Sequence, residues 1–225
     1  RTPLNSSLIR AKLLADNPHD NLTDDQVKYA KTIQSSGKDL LNLINDILAL
    51  SKIEAGHVEI RPETVTIERL TNNLRQLFQP LAGEKKLGFL INVAPDLPQT
   101  IETDLQRLEQ VLKNLLSNAI KFTEKGQVKL DVYENVDGGI AFSVSDTGIG
   151  IAPENQQTVF DAFQQADGTI SRKFGGTGLG LSISRQLVRL LGGVIQLESQ
   201  LGQGSKFTFS LPEHYDPNIV LPREK

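Results

Sequence analysis

The stretch "DLQRLEQVLKNLLSNAIKF" at residues 104–122 predicts an amphipathic helix with two unlike faces. Its apolar residues recur at steps of three and four and predict a buried stripe. On the other side, Asn114, Asn118 and Lys121 follow one another at the same steps. Asparagine is a poor helix former, so two amides one turn apart indicate a ligand, with a plain solvated face as the alternative. An amide oxygen suits Mg²⁺ and a lysine suits phosphate.

The stretch "SDTGIGI" at residues 145–151 follows a strand-like alternation. It places Asp146 at the end of the strand, and Gly148 and Gly150 permit backbone angles that other residues avoid. A carboxylate there can accept a hydrogen bond from the exocyclic amine of adenine, which guanine lacks at that position. A purely structural Asp-Thr-Gly turn is the alternative.

The stretch "RKFGGTGLGLSISRQLVRLL" at residues 172–191 crowds glycines in front of an apolar-periodic helix. Free backbone N–H groups and the positive dipole end of such a helix bind phosphate, and Arg172 and Lys173 lie just upstream. The spacing matches neither a Walker loop nor a dinucleotide fingerprint. A glycine-rich loop alone is weak evidence for a nucleotide.

The composition excludes several classes of protein. The chain has 24 Lys and Arg against 27 Asp and Glu, and the two signs are mixed along it. No concentration of positive charge therefore predicts binding to nucleic acid or to an anionic membrane. The sequence has no cysteine, and His19, His57 and His214 are not paired at metal-ligand spacing. Its apolar runs fall short of the roughly 18 residues that span a bilayer. We therefore expect a soluble piece with no nucleic-acid partner and no direct membrane contact.

Residues 1–60 predict a helical hairpin. Apolar residues recur at threes and fours through 24–58, and a shorter periodic segment covers 3–15. The turn-rich loop between them ends in a helix cap near Thr23. Two helices cannot bury so long a stripe by themselves, so we predict a homodimer with a four-helix bundle. Packing of the hairpin on the rest of its own chain is the alternative.

Residues 61–212 predict an α/β domain. Together with the helical hairpin that precedes it, this domain gives the whole chain the fold class α+β. The pair at 127–134 and 139–145 alternates apolar residues across the turn "NVDGG", which indicates an antiparallel hairpin. The closing "PEHYDPNIVLPREK" has three prolines and no periodicity, which predicts a linker tail over 213–225. The other predicted elements are helices 67–82, 104–122 and 178–191 and strands 87–93, 193–199 and 205–211.

Five motifs in order resemble the boxes of sensor histidine kinases. They are "NLLSNAIKFT", "DTGIGI", "FDAFQQAD", "GGTGLGLSI" and "GQGSKFTFSLP". The resemblance covers nearly all of residues 1–212, and the wording of 163–181 is similar to that of hybrid kinases, whose transmitter is followed by a receiver domain. It implies a Bergerat-type α/β sandwich that binds ATP and Mg²⁺, preceded by a dimerisation and histidine-phosphotransfer hairpin.

The resemblance also implies residue roles. Asn118 would ligate Mg²⁺, with Asn114 completing the catalytic polar site, and Asp146 would take the adenine amine. Phosphate charge would be neutralised by Lys121, Arg172 and Lys173. Gly150 and Thr208 would hold a water beside Asp146. The remaining implied nucleotide-binding residues are Phe122, Gly148, Gly176, Thr177, Gly178, Leu179 and Gly180, with Phe160 and Phe163 as a hinge or core contact for the lid over the phosphates.

Two other functions share parts of this pattern. Gyrase-type and chaperone ATPases of the same fold place a glutamate base one turn before the metal-binding asparagine, whereas this chain has Asn114, an amide without useful basicity. Hydrolysis should therefore be poor, and the γ-phosphoryl should pass to an external nucleophile. A nucleotide-sensing dimeric scaffold, or pseudokinase, is the second alternative.

In the family the nucleophile is an imidazole on the first bundle helix. None of the three histidines occupies that position. In the family, His-Glu-Leu directly precedes Arg-Thr-Pro-Leu-Asn. We therefore expect that the sequence is cut just after the acceptor, and that the chain as given binds nucleotide without phosphorylating itself. Thr2 and Pro3 alone favour a helix start, but the resemblance implies that Thr2 orients water during dephosphorylation of a response regulator.

The resemblance further implies a partner and a location. The phosphoryl group would pass on to an aspartate of a receiver domain, either in a separate response regulator or in the same parent chain. A cytoplasmic location is implied for this part, which is compatible with a parent sensor in an inner membrane.

Overall fold

The computed structural model describes residues 2–136, 138–164 and 177–219. The chain forms two compact units, Arg1–Lys52 and Ile53–Lys225. The predicted site residues Arg172, Lys173 and Gly176, and the side chain of Thr2, lie outside the described part. None of the helices in these described ranges combines the length and the apolar character that crossing a membrane requires.

The first unit is a pair of helices, α1 (Thr2–Asp16) and α2 (Asp24–Glu54). The predicted cap at Thr23 is a reciprocal one. The Gln26 N–H donates to Thr23 Oγ1 at 3.3 Å, and the Thr23 N–H donates to Gln26 Oε1 at 2.9 Å. Helix α2 ends four residues before the predicted end, because Gly56 (φ +69°) turns the chain and donates its N–H to Ile53 O.

The hairpin buries one apolar face and exposes another. The two helices approach so closely that a Cβ on Gly37 would lie 2.7 Å from Leu8 Cδ2. Ala11 and Ala30 are buried on this inner face. A second apolar stripe stays exposed, with members at steps of four and seven along α2. The exposed stripe consists of Ile9 and Leu13 on α1 and of Tyr29, Ile33, Leu40 and Ile47 on α2.

The second unit is built on a five-stranded mixed sheet, in which β2 runs parallel to β4 and the other neighbours are antiparallel. The strand order is β2-β4-β5-β7-β6, and two short strands, β1 and β3, pair with each other separately. In chain order the strands are β1 (Glu63–Thr66), β2 (Gly88–Val93), β3 (Thr100–Thr103), β4 (Gln127–Glu134), β5 (Ile140–Asp146), β6 (Val194–Gln200) and β7 (Gly204–Leu211).

The helices of this unit pack on one face of the sheet and form the core with it. They are α3 (Ile67–Glu84), α4 (Leu105–Phe122), the short α5 (Pro153–Gln156) and α6 (Gly180–Leu190). The rings of Phe142 and Phe209 stack at 5.2 Å between centroids in this core. The opposite face is polar, and Lys129, Ser143 and Lys206 line an open cavity of about 620 Å³ there.

This architecture confirms the predicted α+β class. Strand β4 has the predicted bounds, and the other predicted strands and the helices of this unit begin and end within two residues of the prediction. Strands β1 and β3 and helix α5 were not predicted, because four residues are too few to establish a periodicity. The Glu102 N–H donates to Glu213 O at 2.8 Å, so the chain directly after residue 212 runs beside β3.

Two glycine-to-alanine changes should have opposite effects on stability. Gly204 has φ +106°, and a Cβ there would overlap the carbonyl oxygen of Asp146, so we expect Gly204→Ala to lower the free energy of unfolding by about 2 kcal/mol. Gly83, near the end of α3, has nothing within 4 Å of its Cβ position, so Gly83→Ala should raise it by about 0.5 kcal/mol. Urea denaturation measures both, and equal effects would contradict the structure.

Candidate functional site

Four segments meet on the helix-covered side of the sheet, where β5 ends. They are the end of α4, the loop after β5, the turn between β6 and β7, and the first turns of α6. The Ile149 N–H donates to Phe122 O at 3.3 Å, and the Gly202 N–H donates to Ile149 O at 2.7 Å. Asn114 joins α4 to α6 through its side chain. The structure therefore brings the motifs of residues 104–122, 145–151 and 177–191 into one site.

Asp146 is the last residue of β5 and lies opposite Ser205 of β7. It continues the alternation of Phe142 and Val144, whose side chains are buried on the helix side. Its Oδ1 accepts the N–H of Gly148 at 2.8 Å. Burial raises the pKa of the Asp146 carboxyl, while the N–H groups of Gly148 and Ser205 oppose that shift. The carboxylate is thus half-buried and held in one orientation.

The loop after β5 is held by close backbone contacts. A Cβ on Gly148 would lie 2.5 Å from Phe122 O, and a Cβ on Gly150 (φ +67°) would overlap the carbonyl oxygen of Gln200. The Gln156 side chain donates to both Ile151 O and Ser199 O at 2.9 Å. A side chain at either glycine of the predicted motif would therefore clash with neighbouring backbone, and the loop is fixed between α4 and the β6–β7 turn.

Helix α4 presents the predicted polar residues toward this site. Asn114 Nδ2 donates to Ser184 Oγ at 2.9 Å. Asn118 is half-buried, and its side chain makes no hydrogen bond to the residues that the structure describes. The Lys121 ammonium lies 4.9 Å from the centroid of the Phe122 ring, a cation–π distance. One turn of α4 therefore carries an amide and a cation side by side.

A lysine that the sequence analysis did not select holds the end of α4. Lys85 Nζ donates to Ile120 O at 2.7 Å and to Lys121 O at 3.1 Å, and so satisfies carbonyls that a helix end leaves open. At the other end of α4, Asp104 Oδ1 accepts the Arg107 N–H at 3.0 Å. The last turn of α4, with Lys121 and Phe122, is therefore fixed in place.

The described part of the second glycine motif leads into α6. Thr177 Oγ1 accepts the Leu179 N–H at 3.2 Å, and Leu179 is completely buried. Gly178 has φ +70°, and its carbonyl accepts the Phe163 N–H at 3.1 Å. Gly180 begins α6, and a Cβ there would overlap the Asn114 amide. Each of these residues therefore has a local structural role beside the nucleotide contact that the resemblance implies.

The two phenylalanines of the phenylalanine motif differ in burial. Phe160 is buried with its ring edge-on to Phe207 at 6.1 Å, which makes it a core contact. Phe163 is 63% exposed with φ +64°, an unusual conformation for a bulky residue.

Thr208 does not lie beside Asp146. Its hydroxyl contacts that of Ser143 at 3.0 Å, and Ser143 lines the cavity on the outer face of the sheet. Along β7, Thr208 alternates with Phe207 and Phe209, whose side chains are buried. The residue opposite Asp146 is Ser205, which the sequence analysis missed. The alternation around the two phenylalanines indicates that Ser205 and Thr208 lie on opposite faces of β7, and the register with β5 then places Ser205 opposite Asp146.

The donor set of this site fits a magnesium nucleotide. The described residues contain no group of three or more His, Cys, Asp or Glu side chains able to hold a metal ion. Mg²⁺ commonly takes one or two oxygens from the protein and the others from phosphate and water. The amide of Asn118 can provide the protein oxygen. The first turn of α6 has no side-chain cap, and N–H groups at a helix start are of the kind that bind phosphate.

Family models match both units. Residues 1–56 match the His Kinase A (phospho-acceptor) domain. Residues 103–215, half of the chain, match the histidine kinase-, DNA gyrase B-, and HSP90-like ATPase.

Individual proteins are similar over nearly the whole chain. The chain is 41% identical to hybrid signal transduction histidine kinase B of Dictyostelium discoideum over 94% of its length, and 43% identical to the circadian input-output histidine kinase CikA of Synechococcus elongatus over 99%. It spans only 11% and 30% of those relatives. The solved structure of full-length ShkA in complex with AMPPNP matches 96% of this chain and 44% of that one, with a TM-score of 0.79 and 38% identity.

Proposed function

The chain belongs to the histidine kinase family, and from this premise we propose that it binds ATP with Mg²⁺ and transfers the γ-phosphoryl group to a histidine of a dimerisation helix. The observation that carries the proposal is the convergence at the end of β5. There a half-buried carboxylate, an amide-bearing helix face and the N-terminus of a helix converge on one site.

The adenine end of the site is assigned to Asp146 and Ser205. The Asp146 carboxylate accepts hydrogen bonds, and the Gly148 N–H orients it, so it suits the exocyclic amine of adenine. Ser205 lies directly opposite Asp146, and its hydroxyl contacts that of Ser199 at 2.9 Å. We assign to Ser205, in place of Thr208, the role of holding a water or a ring nitrogen beside the carboxylate.

The phosphate end is assigned to α4 and the start of α6. Asn118 would ligate Mg²⁺, which when bound neutralises phosphate charge. Lys121, together with Arg172 and Lys173, would add positive charge around the phosphates. The glycines from Gly176 to Gly180 would let the backbone approach the triphosphate, with the dipole of α6 directed at it.

Transfer rather than hydrolysis follows from the residue one turn before Asn118. Asn114 is an amide, and its nitrogen donates to Ser184, so it cannot take a proton from water. The γ-phosphoryl group would instead go to an imidazole, whose neutral nitrogen is nucleophilic near neutral pH. From there it would pass to an aspartate of a receiver domain in the cytoplasm.

The exposed stripe on α1 and α2 supports a homodimer. An isolated helical pair leaves this stripe in water, and a second copy would bury it in a four-helix bundle. The spacing of four and seven along α2 is typical of helices that pack side by side. We therefore propose that the helical unit dimerises through this stripe.

Nucleotide titration tests the adenine end. By isothermal titration with ATP and Mg²⁺, Asp146→Asn should lower affinity about 10- to 100-fold, since a hydrogen bond to a charged group is lost. Ser205→Ala should lower affinity about 3- to 10-fold. Thr208→Val, on the opposite face of the sheet, is the control and should leave affinity unchanged. An effect of Thr208→Val that exceeds that of Ser205→Ala would overturn the assignment.

Transfer is tested by supplying the acceptor. The chain extended at its amino end by His-Glu-Leu should incorporate label from γ-labelled ATP in acid-labile form, whereas the same chain extended by Ala-Glu-Leu should not. Equal labelling of the two would show that the acceptor is elsewhere. Binding of ATP without labelling of either chain would favour the nucleotide-sensing scaffold.

Light scattering tests the dimer. The measured mass should be that of two copies of the 24.7 kDa chain. Ile33→Glu combined with Leu40→Glu should reduce the mass to that of one copy, because both side chains lie in the exposed stripe. Ser35→Glu combined with Asn42→Glu adds the same charge on another face of α2 and should leave the dimer intact. Dissociation by both pairs would argue against the stripe as the interface.

A further inference from the structure

A hydrogen bond between two helices connects residues that are far apart in the chain. Asn114 Nδ2 on α4 donates to Ser184 Oγ on α6 at 2.9 Å. Ser184 is 1% exposed, while Asn114 is half-buried at the edge of the site. Among the residues that the structure describes, the Ser184 side chain is hydrogen-bonded to the site through the amide of Asn114.

In the structure the two ends of the Asn114 amide face different groups. Because the nitrogen is directed to Ser184, the oxygen lies against Gly180, the first residue of α6, at the point where a Cβ would overlap it. The residue before α6, Leu179, provides no side-chain cap to the first turn, whose N–H groups have no acceptor within the helix. The amide oxygen thus lies beside the end of α6 that the proposed function assigns to phosphate.

We propose that Ser184 is a positioning residue for phosphoryl transfer. By holding the Asn114 nitrogen, it keeps the amide in one orientation and keeps the polar face of α4 at a constant distance from the first turn of α6. Asn118 and Lys121 lie on that same face, so the metal-binding and phosphate-binding groups of the proposed site are held as one set. This inference rests on the proposed function and adds to it a residue that no phosphate would touch.

A neighbouring serine provides a matched control. Ser182 is also buried in α6, at 5% exposed, but its hydroxyl donates to Leu179 O at 2.8 Å within its own turn. Replacing either serine by alanine removes one hydroxyl and introduces a better helix former into α6. Only Ser184→Ala removes a link to α4.

The experiment measures labelling rates of the His-Glu-Leu-extended chain as a function of ATP concentration at saturating Mg²⁺. Ser184→Ala should lower kcat about fivefold, as the loss of one oriented hydrogen bond predicts, with KM for ATP within about twofold. Ser182→Ala should change neither constant. In an Asn114→Ala background, Ser184→Ala should have no further effect, because the group it positions is gone.

A second pair of variants separates the hydroxyl from packing. Ser184→Thr keeps the hydroxyl and should retain most of the parent kcat, whereas Ser184→Val, of nearly the same shape, should lose as much as Ser184→Ala. Equal kcat for Thr and Val, an unchanged kcat in Ser184→Ala, or additive losses with Asn114→Ala would overturn the positioning role. If the extended parent is not labelled at all, the proposed function itself fails, and this inference fails with it.

Discussion

Two backbone contacts at the end of β5 support the whole site. The carbonyl oxygens of Asp146 and Gln200 occupy the places where side chains of Gly204 and Gly150 would begin. Because these glycines carry no Cβ, the loop after β5 and the β6–β7 turn lie directly against each other. The carboxylate of Asp146 is thereby fixed on the helix side of the sheet, opposite Ser205.

Helix α4 serves the core and the site at the same time. Its apolar stripe is buried against the sheet, which leaves only its edge for Asn114, Asn118 and Lys121. The helix cannot shift along its axis without breaking the bonds that Lys85 makes to its last carbonyls. Rigid placement of charged and amide groups is what stabilisation of a phosphoryl group in transfer requires, since the protein contributes mainly position and electrostatics.

The two units differ in how they bury their apolar side chains. The sheet and its helices bury a large apolar core within one chain, whereas the helical pair leaves a regular stripe in water. Such a stripe is costly for an isolated unit and useful for one that associates with a second copy.

The sequence alone determined the long helices, the central hairpin and the positions of the glycine motifs, because 3.6-residue and two-residue periodicities and glycine spacing are local properties. The order of the motifs also identified the family. Only the tertiary structure showed that Ser205, not Thr208, faces Asp146, and that Asn114 bonds to Ser184. Those relations depend on the register between β5 and β7 and on the packing of α4 against α6. Both arise when distant segments share one core, and neither is encoded within any single segment.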